Sequence, residues 1–185
     1  MFPPIPSWDA MHPLIVHFPV ALLLVAPILV LLGMLLPKSS RGLFLAAFVL
    51  MVLGTVATYF AVATGDAAGE LAERTPGVAA VLESHEGLAE STRIIFTALS
   101  VIFAMILFAP LLFKRKLRWK SSLALNLAFL LFYSAGAVML INVAHQGGRL
   151  VHELGVRAMM TNNATAASSA SAEKSKKKQQ RDDDE

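Results

Sequence analysis

Four long runs without Asp, Glu, Lys or Arg organise the chain: 14–36, 43–64, 94–113 and 121–144, with short polar segments between them. A hydrocarbon core of about 30 Å takes about 20 helical residues, so each run is long enough to cross a bilayer. Backbone amides have no water to bond there, and the helix satisfies them within one segment. The pattern therefore predicts an all-α fold, an antiparallel four-helix transmembrane bundle occupying residues 1–157.

The segment between the second and third runs carries its own signal. Thr75-Pro76 is an N-cap followed by proline at the first helical position, and from there Val78, Val81, Leu82, His85, Leu88 and Ala89 recur at helical spacing. This predicts a short amphipathic outer helix, with Glu83, Glu86 and Glu90 turned to water. Residues 158–185 are small, polar or charged and without periodicity, so a disordered tail is expected.

Composition agrees with a membrane protein: 56% of the 185 residues are hydrophobic and the mean hydropathy is +0.61, far above a soluble domain of this size. The first run is read as a span rather than a secretory signal. No Lys or Arg precedes it, it is longer than a signal's apolar core, and no small-residue cleavage site follows.

Charge supplies an orientation. The link after the first run holds Lys38 and Arg41, and the link after the third holds Lys114, Arg115, Lys116, Arg118 and Lys120, with no acid in either. The segment from Gly65 to Arg93 carries two basic residues against six acidic ones. The positive-inside rule then puts the two basic links in the cytoplasm and both termini in the periplasm of a bacterial inner membrane. The lysines from Lys174 onward lie beyond the stretch of about 15–20 residues over which that rule counts. The net charge of +3 is thus accounted for by topology and tail, and no aromatic-basic surface for nucleic acid is visible.

The absence of cysteine excludes disulfides, thiolate iron–sulfur ligation and covalent haem attachment. Candidate chemistry rests on histidine. All five histidines fall on the predicted outer side: His12 and His17 at the start of the first span, His85 on the amphipathic helix, His145 and His152 after the fourth. His17 lies inside an apolar run, where an ionisable residue is expected to face the bundle interior or a cofactor. Pro19 leaves the Ile15 carbonyl without its helical donor, predicting a bend beside His17. His12, directly before Pro13, is expected at the helix entrance. His145 and His152 are about 10 Å apart on a continuous helix, and a break at Gly147-Gly148 would change that.

One reading is a bundle-core site in which an imidazole of the first span and another from the fourth span or the amphipathic helix hold a metal, above all the iron of a b-type haem. On this reading His17 and His145 are the ligands and His85 the substitute. His12 and His152 support them, Gly147 and Gly148 allow close approach, and Arg149 and Arg93 meet the propionates. The competing readings are a copper or zinc site, a quinone pocket, and a non-catalytic scaffold or assembly subunit whose histidines only bond across the bundle. Asn126, Ser134 and Asn142 are expected to form interhelical hydrogen bonds, Gly33, Gly54 and Gly136 to be close-packing positions, and Trp8 and Trp119 to be interface anchors.

The stretches H-P-L-I-V-H-F-P-V-A-L-L, T-G after the second run, a single His before the third, and A-H-Q-G-G-R-L-V-H-E-L-G-V after the fourth resemble an uncharacterised bacterial four-helix integral membrane family, domain of unknown function 2231. The resemblance covers about Met11 to Val156. Its motifs fall on His12, Pro13, His17, Pro19, Gly65, His85, His145, Gly147, Gly148 and His152. Members of that family occur beside or fused to c-type cytochrome and Rieske-type domains. The resemblance thus implies electron transfer at the outer membrane face, with a quinol, a Rieske-type protein or a periplasmic c-type cytochrome as partner.

Overall fold

The computed structural model describes residues 6–72, 77–114 and 118–156. Among these the chain is helical throughout. A 3-10 turn, Asp9–Met11, leads into α1 (His12–Ile15), α2 (His17–Leu35), α3 (Ser40–Ala72), α4 (Ala79–Leu112) and α5 (Trp119–His152). Four of these units, α1 and α2 counting as one, are long and apolar enough to cross a membrane. Each packs on its two neighbours in a ring, α2 on α3, α3 on α4, α4 on α5 and α5 back on α2, while α1 and the 3-10 turn lie against α3. The expected Thr75-Pro76 start and the 158–185 tail lie outside the described residues.

The first span is interrupted for one residue at Val16. The interruption falls three residues before Pro19, which is itself buried, while Val16 keeps helical backbone angles. A second proline is compensated across the bundle. Pro27 cannot donate to the Leu23 carbonyl four residues earlier, and the Tyr133 hydroxyl donates to that oxygen instead, at 2.6 Å. The α2–α3 and α4–α5 contacts use the glycines read as packing positions. A methyl group at Gly54 would stand 2.7 Å from Leu23 Cγ, and one at Gly136 would stand 3.1 Å from Leu99 Cδ1. Aromatic rings fill the centre, with Phe103 stacked on Phe129 at 4.8 Å and Phe96 edge-on to Tyr133 at 5.4 Å.

The polar cross-links are not those expected. Thr55 bonds Ser100 at 2.9 Å and Tyr59 bonds Thr97 at 3.1 Å, tying α3 to α4. Asn126 instead donates to Ser122 and Ser134 to Leu131, both within α5, and Asn142 is exposed. A small polar side chain on a helix can bond its own preceding turn, which competes with a bond to a neighbouring helix; the Asn126 Oδ1 is left buried without a partner.

The amphipathic segment exists, but as the first turns of α4 rather than as a separate helix. Helix α5 likewise runs through Gly147 and Gly148 without a break. With 33, 34 and 34 residues, α3, α4 and α5 are each about 50 Å long, some 20 Å more than a hydrocarbon core. The surplus lies at the histidine end, since the uncharged runs start beside the basic links. This projecting crown has a core of its own, in which Ala72, Val78, Leu82 and Leu150 are buried together. Gly155, at φ +69°, turns the chain back so that Val156 N–H reaches the Leu150 carbonyl at 2.9 Å and Leu154 and Val156 cover that cluster.

Candidate functional site: a pair of imidazoles

Two of the five histidines meet. His12, at the start of α1, and His85, near the start of α4, have ring centroids 6.4 Å apart and planes at 87°. Both rings are half-buried. The other three stand apart: His17 on α2 and His145 and His152 on α5 are exposed. The interior orientation expected of His17 is not found: this ring is exposed on α2. The pair brought together is therefore not His17 with His145.

Each ring is held in the same way. The Nδ1 of His12 lies 3.0 Å from the Ala61 carbonyl on α3, and the Nδ1 of His85 lies 3.0 Å from the Val143 carbonyl on α5. A carbonyl only accepts, so both Nδ1 atoms carry the proton and donate it. Thr64 adds a second acceptor for His12 at 3.2 Å, its own hydroxyl hydrogen being given to Phe60 at 2.8 Å. Among the described residues neither Nε2 has a hydrogen-bond partner, so each neutral ring keeps its Nε2 lone pair available. The N-terminal segment is pinned a second time where Trp8 Nε1 donates to the Ala63 carbonyl at 3.3 Å.

Sequence reasoning placed all five histidines at this end and gave Gly65 and Gly147 to the motifs. It did not find Ala61, Thr64 and Val143, whose contributions are two backbone carbonyls and one hydroxyl. The T-G pair, Thr64-Gly65, was the one visible signal. The two arginines expected to receive propionates are engaged by nearby carboxylates. Arg149 pairs with Glu153 at 2.9 Å and donates to Gln146 at 3.1 Å. Arg93 pairs with Glu90 and lies over the Tyr59 ring at 5.0 Å.

The arrangement suits metal ligation. A ligating histidine characteristically donates its other ring nitrogen to a carbonyl or carboxylate, which fixes tautomer and orientation. Among the described residues no third His, Asp or Glu joins the pair in a metal-binding group. Two imidazoles fall short of the three or four protein ligands that zinc takes, whereas haem iron brings four pyrrole nitrogens and needs at most two axial ligands. By ligand number alone the pair meets what a haem iron would need and not what zinc takes.

A family model described as "Predicted membrane protein (DUF2231)" matches residues 9–159. No curated protein and no solved structure matches the chain.

Proposed function

We propose that this chain, which belongs to the DUF2231 family of predicted membrane proteins, is a b-type cytochrome-like electron-transfer subunit whose haem is held by His12 and His85. The carrying observation is the imidazole pair, with both Nδ1 protons committed to backbone carbonyls and both Nε2 atoms open. Haem iron bound there would supply one-electron chemistry, passing between ferric and ferrous states. The residues of the chain do the rest. His12 and His85 would ligate, and Ala61, Thr64 and Val143 orient them.

Location supports the same reading. The basic links Lys38/Arg41 and Lys114/Arg118/Lys120 belong in the cytoplasm of a bacterial inner membrane, which sets the imidazole pair on the periplasmic side. The pair sits at the outer edge of the uncharged runs, bonded to Ala61 and Val143 within the last residues of two of them and at the base of the crown, where a water-soluble protein would approach. Electrons would pass between a quinol or membrane partner and a periplasmic c-type cytochrome or Rieske-type protein.

The test is a dithionite-reduced minus oxidised visible spectrum of the detergent-purified protein expressed with haem supplied, together with elemental analysis. A sharp reduced α-band is expected. Stoichiometric copper or zinc without that band would transfer the site to a metal-handling protein. Neither metal nor chromophore would leave a scaffold or assembly subunit.

A further inference from the structure

The two imidazoles are seated by one device used twice. His12, at the start of the first span, lies on the second span over Ala61 and Gly65. His85, at the start of the third, lies on the fourth over Val143 and Gly147. In both cases the accepting carbonyl stands four residues before the glycine. That carbonyl is the helical acceptor of the glycine's own N–H, so the ring shares an acceptor already in use and brings its Nδ1–Cε1 edge close to that turn of helix. A methyl group at Gly65 would stand 3.0 Å from Cε1 of His12, and one at Gly147 would stand 3.1 Å from Cε1 of His85. Neither approach leaves room for a Cβ without displacing the ring.

We infer that Gly65 and Gly147 are positioning residues, each setting the depth and tautomer of one imidazole, and that the site is two matched half-sites, one per helical hairpin. Gly147 therefore serves the ligand on the adjacent helix rather than a flat ligand of its own. Its neighbour Gly148 has open space where a Cβ would go, as does Gly87 beside His85, so neither is required for seating. The inference rests on the haem reading only for its redox consequence, because the seating is a property of the protein without any bound group.

The experiment is imidazole ¹⁵N NMR of the full chain, uniformly labelled and haem-free in detergent, comparing wild type with Gly65→Ala, Gly147→Ala, Gly148→Ala and Gly87→Ala. Wild type is expected to show both rings protonated at Nδ1. Gly65→Ala should shift or abolish the His12 Nδ1–H signal and leave His85 unchanged, while Gly147→Ala should do the reverse. Gly148→Ala and Gly87→Ala should match wild type. Each glycine variant decides its own half-site, so a folding failure in one leaves the other decisive. Unchanged ring signals in a folded Gly65→Ala or Gly147→Ala, or Nε2-protonated rings in wild type, would overturn the assignment. If the protein takes up haem, the reduction potential should move in the same two variants and stay put in the controls. If it takes up none, the haem reading fails while the NMR result still stands.

Discussion

A hydrogen bond from Tyr133 explains how a proline is tolerated in the middle of a membrane span. The Leu23 carbonyl has lost its helical donor to Pro27, and in an apolar setting an unsatisfied carbonyl is costly. The buried Tyr133 hydroxyl, at 2.6 Å, removes that cost and locks α5 to α2. Tyr133→Phe should therefore destabilise the bundle by about 1 kcal/mol in a detergent unfolding titration. In a Pro27→Ala background, where residue 27 can donate again, the same change should cost clearly less, giving a coupling between two residues that need not touch. Equal costs in both backgrounds would remove the compensation argument. Legibility at this scale was uneven. That all histidines share one end could be read from their positions, and the glycine motifs pointed to close approach. Which rings face each other could not, because α2 is apolar on every side and gives no periodic signal for the inward face. The decisive acceptors are main-chain carbonyls, which no side-chain pattern announces.

At the scale of elements, hydropathy located all four spans but underestimated three helices. The uncharged runs 43–64, 94–113 and 121–144 mark where a helix can contact lipid, whereas helix formation continues wherever packing sustains it. Helix α3 runs to Ala72 and α5 to His152, and α4 begins at Ala79, because their projecting turns bury Ala72, Val78, Leu82 and Leu150 together. Glycines 147 and 148, where the sequence would allow a break, each disfavour helix by about 1 kcal/mol relative to alanine, an amount that packing readily offsets. One of them is what lets the His85 ring lie on α5. The amphipathic stripe was legible as a helix, and its fusion to the third span was not, since Glu90 and Arg93 read as a boundary. They mark the end of the apolar run and not the end of the helix.

For the whole molecule, three helices about 50 Å long and a shorter first span make a bundle whose crown stands clear of the apolar band at one end. The orientation proposed for that crown is directly testable, because the chain contains no cysteine. A membrane-impermeant maleimide applied to spheroplasts should label Glu83→Cys, which replaces an exposed crown residue, and should leave Lys38→Cys unlabelled until the membrane is opened. The reverse pattern would turn the molecule over and remove the periplasmic partners from the account.

The imidazole pair is where fold and function join, and it makes an asymmetric demand on five histidines. The measurement that bears on it most directly is the reduced-minus-oxidised visible spectrum of four single variants prepared alike with haem supplied: His12→Ala, His85→Ala, His17→Ala and His145→Ala. The account predicts that the α-band is lost or converted to a five-coordinate form in the first two and unchanged in the last two. Loss of the band in His17→Ala or His145→Ala, with His12→Ala and His85→Ala unaffected, would contradict it and place the ligands on the rings that here face outward.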